Sequence, residues 1–433
     1  MDPICAPATP LLPSAVAVVR VSGKSLGECL EGFVRLGPPR QGVLRTLAWE
    51  GYREKALVLF FPGPNSTTGE DVVEFQVHGN PLLVRRLLEH LGRRGIRLAE
   101  PGEFARRALL NGKASLLEVE ALRDLVAAAT DTQLRQAQAA GGGVPPWIPE
   151  TRARLAPWIA RAEAVVDYGE DEGLSLDLIA LQGEVADLRR LFHVEQTRSE
   201  GARWLREGLR VALAGRPNAG KSTLFNALAR EDRAIVTDLP GTTRDVLEVR
   251  VDFAGLPLRL FDTAGLRSTE DPVERLGVAR VAPVLAEADL ILHLVPVGDA
   301  GPDPAVAAAL EPFAGRVLEV RTFADAGAAA PGEVAVSALG GHLEALAEAL
   351  RERFLGGQAP EACLGALATA RQRDLLQELV AQADLLLGLP EGAPPELPAS
   401  LLQGLWGLLA RLTGEDRADT ALDALFSGFC LGK

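Results

Sequence analysis

The chain has 433 residues, 47% hydrophobic and 24% charged, which is typical of a globular protein with more than one domain. Its formal net charge of −13 argues against a surface covered entirely in nucleic-acid-binding groups. No apolar run is long enough to span a membrane, and residues 1–5 lack a signal-peptide pattern, so we expect a cytosolic protein.

Residues 1–117 combine short β-type runs with helical segments. Residues 15–21, 56–61 and 72–77 are apolar or alternate in polarity, and each run predicts a strand. Residues 81–91 carry apolar side chains at helical spacing. We therefore predict a small α+β domain at the start of the chain.

Five arginines lie on this predicted helix and in the turn after it. A solvated helix face is the simpler interpretation of the cluster, and a local basic patch for nucleic acid is the alternative. The cluster consists of Arg85, Arg86, Arg93, Arg94 and Arg97.

The rest of the chain changes pattern twice. Residues 118–207 and 357–433 are rich in Ala, Leu, Glu and Arg at helical period, which predicts long antiparallel helices. Residues 208–356 alternate strand-type and helix-type runs, which is typical of a parallel α/β sheet. The simplest architecture is one helical domain with an α/β domain inserted into it.

Residues 215–222 match the phosphate-loop pattern GxxxxGK[ST] in full. A buried-strand run precedes the match and a helix-type run follows it, which is the context that the pattern requires. The loop N–H groups and the helix N-terminus would point at phosphate oxygens. Lys221 would add positive charge at the β- and γ-phosphates, and the Ser222 hydroxyl would be a Mg²⁺ ligand.

Two further segments follow in the order of a GTPase core. A strand-type run ends at Asp262, which can hold Mg²⁺ through water, and the Gly265 N–H can bond the γ-phosphate. Residues 237–245 precede them, and Thr243 is the predicted second Mg²⁺ ligand. Together with the phosphate loop, these segments predict a GTP hydrolase.

Leu266 occupies the position where Ras-type enzymes carry a water-orienting Gln. Because a leucine cannot orient water, another group must do so, and another cation must neutralise the developing charge. We hypothesise a bound K⁺. Its predicted ligands are Asn218, Thr237, Thr242 and the backbone oxygen of Leu239.

The chain resembles the MnmE (TrmE) family of tRNA modification GTPases along nearly its whole length. The resemblance is carried by the segments already described and by residues 61–71, 78–79, 101–104, 110–113, 273–277 and 426–433. It implies a multidomain α/β and α fold with an N-terminal α+β dimerisation domain and a helical domain that holds an inserted Ras-like G domain. The implied bounds are 1–117, 118–207, 208–356 and 357–433.

The resemblance also implies an activity. GTP hydrolysis would drive an aminomethyl or carboxymethylaminomethyl modification at C5 of the wobble uridine of certain tRNAs. The chain would form a homodimer and join an FAD-binding MnmG (GidA) partner in a heterotetramer-type complex. The one-carbon donor would be (6S)-5-formyl- or 5,10-methylene-tetrahydrofolate, and the site would use K⁺ and Mg²⁺.

Roles for individual residues follow from the resemblance. Glu274 would position the attacking water through a water network. Cys430 would be a nucleophile in the modification chemistry, while an inert packed thiol remains the alternative. The implied GTP contacts are Asn218, Ala219, Gly220, Lys221, Ser222, Thr223, Thr237, Asp238, Leu239, Pro240, Gly241, Thr242, Thr243, Asp262, Thr263, Ala264, Gly265, Thr322, Phe323, Ala324, Asp325, Ser337, Ala338 and Leu339.

The implied folate contacts lie in the N-terminal segment and at the C-terminus, and an ordinary surface ion-pair set is the alternative for the first three. Residues 11–15 replace a Gly-rich stretch of the family, and Ser115 replaces an Asp, so the match is weaker here. The contacts are Arg20, Glu74, Lys113 and Lys433.

The guanine-recognition motif NKxD also departs from the family. Asp325 remains and can accept hydrogen bonds from guanine N1–H and N2–H, which selects guanine over adenine. Thr322 replaces the Asn that reads the other edge, and Phe323 replaces the Lys and could stack on the base. Residues 337–339 fit the next loop, whose backbone can meet guanine O6. We expect GTP binding with weaker affinity or selectivity than in the family.

Two alternatives stay open. The chain could be a regulatory GTPase switch that binds RNA or the ribosome without modification chemistry, although such a protein needs neither Cys430 nor folate motifs. A lineage with degraded GTPase function is the other alternative. The intact residues Lys221, Ser222, Thr243, Asp262 and Glu274 count against it.

Overall fold

A computed structural model describes residues 1–172, 174–231, 248–261, 283–299, 301–327 and 330–415. They divide into two compact units. The first contains Met1–Arg123, Gly143–Pro145 and the described residues from Leu409 onward, and the second contains Asp124–Gly142 and Pro146–Leu408. In the part of the chain described, no helix is both long and apolar enough to cross a membrane.

The first unit is built on a six-stranded sheet of order β3-β4-β5-β2-β1-β6, antiparallel except for the β1–β6 pair. The sheet confirms the predicted α+β character, and each predicted strand lies within a longer one. The strands are β1 (Ile4–Pro7), β2 (Ser14–Gly23), β3 (Val43–Trp49), β4 (Tyr52–Phe61), β5 (Asp71–Gly79) and β6 (Arg97–Leu98).

Helix α2 covers this sheet with the apolar stripe that its sequence predicts. Its buried side chains recur at helical spacing, and the Asn80 side chain accepts hydrogen bonds from Leu82 N and Leu83 N at the N-terminus. The stripe comprises Val84, Leu87, Leu88 and Leu91. The helices here are α1 (Leu26–Cys29), α2 (Pro81–Arg93) and α3 (Glu103–Leu110), and α4 (Leu116–Ala127) begins in this unit.

The arginines on and after α2 are largely engaged by acids and carbonyls. Arg86 pairs with Glu89 at 2.8 Å, and Arg93 pairs with Glu50. Arg97 forms ion pairs with Asp2 and Glu103, and Arg94 Nε donates to the Cys29 carbonyl at 3.1 Å. These contacts favour the solvated, ion-paired face over a nucleic-acid patch.

The second unit begins and ends with helices. In α7, Leu181, Val185, Leu188 and Phe192 are buried at helical spacing, and the helix packs along α12. Helix α12 starts in a capping box made by Thr369 and Gln372. The helices are α5 (Asp131–Ala140), α6 (Trp147–Glu172), α7 (Leu178–Glu207), α11 (Pro360–Cys363), α12 (Ala370–Leu387) and α13 (Glu396–Thr413), which runs on into the first unit.

Between α7 and α11 lies the predicted α/β segment. Its sheet has the order β12-β11-β10-β7-β9-β8 and is parallel except for β8, which pairs antiparallel with β9. The predicted fold class is therefore confirmed. The elements are β7 (Leu209–Ala214), α8 (Lys221–Glu231), β8 (Glu248–Phe253), β9 (Leu256–Phe261), β10 (Leu290–Pro296), α9 (Pro304–Leu310), a 3₁₀ turn (Glu311–Arg316), β11 (Val317–Thr322), β12 (Val334–Ala335) and α10 (Glu344–Leu355).

A buried hydrogen bond joins the α/β segment to α5 of the same unit, and a second hydrogen bond joins α5 to α7. The Asp252 carboxylate of β8 accepts a hydrogen bond from Thr132 N at 2.9 Å, at the first turn of α5. The Gln133 side chain donates to the Arg206 carbonyl near the end of α7, also at 2.9 Å. Because first-turn N–H groups have no acceptor within their own helix, Asp252 serves as a cap supplied by another segment.

Replacing Asp252 by Ala should lower the free energy of unfolding by about 1–2 kcal/mol, because the Thr132 amide would stay buried without its acceptor. Urea titration of the full chain measures this loss. Asp252→Asn keeps a neutral oxygen acceptor and should lose less than half as much. Equal losses in the two variants would contradict a role for the oxygen at this position.

Candidate functional site

The phosphate loop leaves the sheet at the carboxyl end of β7, the edge at which the parallel strands β10 and β11 also end. Gly215, at φ +150°, is the tightest point of the loop. A Cβ at Gly215 would lie 2.6 Å from the Leu294 carbonyl oxygen, so only glycine fits there. Asn218 at φ 63° and Gly220 at φ 90° complete the turn into α8.

Lys221, the first residue of α8, lies back across this loop. Its ammonium donates to the carbonyls of Gly215 and Arg216, both at 2.8 Å. Arg216 in turn forms an ion pair with Asp299 at 2.8 Å. Ser222 follows and is exposed at the helix N-terminus. A positive charge and first-turn N–H groups at one point make a site for an anion.

The residues predicted to meet the base come to the same edge from β11 and from the loop after β12. The buried Thr322 hydroxyl donates to the Ala219 carbonyl of the phosphate loop at 2.9 Å. The Asp325 carboxylate accepts from the Ser337 hydroxyl at 3.0 Å. Phe323 has a φ of 62°, and its ring lies against Gly220.

A small cavity of about 10 Å³ lies among these groups, and an open cleft of about 390 Å³ beside it is lined by Ser222, Thr223 and Leu339 among others. The structure thus brings the phosphate loop and the two segments predicted to meet the base to one place. The cavity is lined by Gly220, Thr223, Thr322, Phe323, Asp325, Val336, Ala338 and Leu339.

Several predicted site residues lie outside the described part of the chain. They belong to the segment between α8 and β8, to the segment after β9 and to the C-terminal tail. They are Thr237, Asp238, Leu239, Pro240, Gly241, Thr242, Thr243, Asp262, Thr263, Ala264, Gly265, Glu274, Cys430 and Lys433.

In the first unit, Arg20 and Glu74 face each other across β2 and β5. Arg20 Nε donates to Glu74 Oε1 at 2.9 Å, and the guanidinium lies 5.9 Å from the centre of the Phe104 ring. Lys113 is exposed after α3, and a Cβ at Gly69 would lie 3.2 Å from its Cγ. The structure therefore pairs two of the predicted folate contacts and places the third beside the loop that leads into β5.

That loop is held by a buried polar network that sequence reasoning missed. The Arg107 guanidinium is 2% exposed and donates to Glu70 Oε2 at 2.9 Å and to Glu103 Oε1 at 2.8 Å. The Ser22 hydroxyl also donates to Glu70 Oε2, at 3.0 Å. The available signal was that both acids lie in the family-like motifs 61–71 and 101–104.

The pKa of Glu103 is strongly shifted by this network. Burial alone would raise the pKa of Glu103. Hydrogen bonds from Arg97, from the Glu100 backbone N–H and from Arg107 outweigh burial and lower the pKa to about 2. The carboxylate is therefore charged in the folded protein under all ordinary conditions.

The sheet's first strand runs through a GxxxxGK[ST] loop into a helix, and the residues predicted to read the base lie at the same edge. This arrangement defines a P-loop GTPase. Comparison with known proteins adds the family. The family model described as the N-terminus of the GTP-binding protein TrmE matches residues 3–113, and the model for the MnmE helical domain matches residues 116–430. The chain belongs to the MnmE family.

Relatives match from end to end. The tRNA modification GTPase MnmE of Methylorubrum populi is 43% identical over 100% of this chain and 98% of its own length. The tRNA modification GTPase MnmE of Thermus thermophilus is 39% identical over 100% of this chain and 99% of its own length. Among solved structures, the G domain of the T. maritima FeoB iron transporter aligns with 34% of this chain over 98% of its own length, at 26% identity and a TM-score of 0.25.

The charge of Glu103 predicts how stability depends on pH. Because its folded pKa lies below the ordinary value, its contribution is fully present above about pH 4.5 and is lost as the pH falls towards 2. Glu103→Gln should therefore destabilise the chain at pH 7 and differ little from wild type near pH 2. Thermal unfolding of both proteins across this range measures the difference.

Glu100→Gln changes an exposed acid three residues away and is the matched control. It should leave the unfolding temperature nearly unchanged at every pH. A Glu103→Gln defect that is constant from pH 7 to pH 2 would show that its charge is not responsible.

Proposed function

We propose that this chain is a potassium-dependent GTPase that drives aminomethyl- or carboxymethylaminomethyl-type modification at C5 of the wobble uridine of certain tRNAs in the cytoplasm. It would act as a homodimer with an FAD-binding MnmG (GidA) partner and a tetrahydrofolate one-carbon donor. The observation that carries the proposal is a phosphate loop with Lys221 laid across it, in a chain whose end-to-end relatives are named tRNA modification GTPases.

At the phosphate end, the loop N–H groups and Lys221 would hold the β- and γ-phosphates and offset negative charge that develops on them. Ser222 and Thr243 would hold Mg²⁺, which supplies further charge neutralisation on the phosphate oxygens. The exposed Ser222 hydroxyl fits this ion, because hard cations prefer oxygen ligands. Glu274 would position the attacking water.

Asn218, Thr237, Leu239 and Thr242 would hold K⁺, which would supply the positive charge that an Arg supplies in other GTPases. Asn218 is exposed on the loop, and its side-chain amide oxygen is the type of ligand atom that hard cations prefer. At the base end, the Asp325 carboxylate would accept from guanine N1–H and N2–H. The hydrogen bond from Ser337 supports this role because it orients the carboxylate.

The folate donor would bind the first unit through Arg20, Glu74, Lys113 and Lys433. Cationic side chains suit the carboxylates of a folate, and Glu74 can accept from pterin N–H groups. The Arg20–Glu74 ion pair holds both side chains in place on the sheet, and it is also what the alternative of an ordinary surface ion-pair set predicts. Cys430 would then supply the thiol for the modification chemistry.

Replacing K⁺ by Na⁺ at equal ionic strength should lower the rate of GTP hydrolysis at least tenfold, because the smaller ion does not fit the same oxygen ligands. Steady-state phosphate release from the full chain measures the rate. Asn218→Ala should remove most of the potassium effect. Equal rates in the two salts would contradict the potassium site.

The tRNA role is tested in a deletion strain that carries this gene on a plasmid. Mass spectrometry of wobble uridines should show modification restored by the wild type and lost in Lys221→Ala, since the loop would lack its cation. Cys430→Ser should lose modification while it keeps GTP hydrolysis. A wild-type chain that hydrolyses GTP but restores no modification would indicate a regulatory switch instead.

A further inference from the structure

Guanine offers different chemistry on its two edges. N7 and O6 are hydrogen-bond acceptors, whereas the exocyclic amino group is a donor. A protein group that reads N7 must therefore donate a hydrogen, and one that reads the amino group must accept. Since the five-membered ring carries the ribose and the phosphates, N7 lies on the part of the base nearer the phosphate loop.

Thr322 lies on the phosphate-loop side of the small cavity among the residues predicted to meet the base. It lines the cavity together with Gly220 of the phosphate loop, and its hydroxyl contacts the Ala219 carbonyl at 2.9 Å. The residue is only 4% exposed. A carbonyl can only accept, so the hydroxyl proton of Thr322 points at Ala219.

That bond uses the whole donor capacity of the side chain. A hydroxyl has one proton, and the lone pairs that remain on Thr322 cannot bond N7, which is itself an acceptor. Among the described residues that line the cavity, Thr223 is the other one with a side-chain donor; the rest are glycine, apolar residues and the acceptor Asp325.

We infer that the base site of this chain reads guanine through the N1–H and N2–H edge and leaves N7 unread, while Thr322 acts as a positioning residue for the phosphate loop. This inference rests on the proposed GTP-binding function and specifies which features of the guanine base the site recognises. The accepted ligands are purine nucleotides with the guanine N1–H and N2–H pattern, whatever atom stands at position 7.

The test compares GDP with 7-deaza-GDP, in which C–H replaces N7. Calorimetric titration of the full chain with Mg²⁺ and K⁺ should give dissociation constants that agree within about twofold. A site that donates to N7 would lose roughly three- to tenfold in affinity, the value of one neutral hydrogen bond. A wild-type preference for GDP of that size would overturn the inference.

Two variants at one position sharpen the result. Thr322→Asn has two amide hydrogens, one for Ala219 and one for N7, so it should create a three- to tenfold preference for GDP. Thr322→Val removes the hydroxyl at similar volume and should weaken both nucleotides equally, because the loop loses a support. A ratio that changes in Thr322→Val would show that the hydroxyl does reach N7.

Failure of the inference and failure of the proposed function give different results. Tight binding of GDP with weak binding of 7-deaza-GDP contradicts only the inference, and points to Thr223 or a backbone N–H as the donor. Equal binding of GDP and ADP would contradict the role of Asp325, and with it the proposed function. Binding of neither nucleotide would overturn both.

Discussion

The closeness of the phosphate loop to the sheet is the constraint on which the nucleotide site depends. Gly215 lies so near the Leu294 carbonyl of β10 that no Cβ can be accommodated. The loop therefore begins packed closely against β10, and three hydrogen bonds hold the rest of it. Lys221 bonds the carbonyls at the beginning of the loop, and Thr322 bonds the carbonyl of Ala219 near its end. The loop is thus preorganised by its own neighbours.

In the first unit, a buried ion pair holds the loop before β5 in place. The loop before β5 has few apolar side chains with which to pack, and Arg107 holds it through Glu70 while also binding Glu103. Burying a guanidinium is costly unless its hydrogen-bond donors are matched. Two carboxylates accept from the terminal nitrogens of Arg107, while its buried Nε has no hydrogen-bond partner among the described residues. The low pKa of Glu103 has a similar origin, because hydrogen bonds from Arg97 and Arg107 outweigh the effect of burial on its carboxylate.

The β8–β9 hairpin links the α/β segment of the second unit to the helices of the same unit. Along the chain it lies between residues 237–243 and residues 262–265, both predicted to contact the nucleotide. Its Asp252 carboxylate caps α5, and a Cβ at Gly255 in its turn would lie 2.9 Å from Pro360 of α11. The α/β segment is thereby attached to the helical part by both a directional hydrogen bond and close packing.

The sequence by itself predicted three of the six strands of the first unit, the helix that follows them and the phosphate loop, because these features depend on local order. A strand, a glycine-rich turn and a helix start are set by residues within a dozen positions of one another, and the GxxxxGK[ST] spacing fixes where Lys221 and Ser222 fall. The resemblance named Arg20 and Glu74 as folate contacts from aligned positions, and their ion pair matches the alternative of an ordinary surface ion-pair set. The partners of Arg107 and Asp252 could not be predicted in this way. Thr322 lies 103 residues from Ala219, and its hydroxyl proton is committed only because β11 and the end of the loop meet at one edge of the sheet. Packing of distant elements decides such contacts, and a hydroxyl that sequence alone leaves available to the base is thereby assigned to the loop.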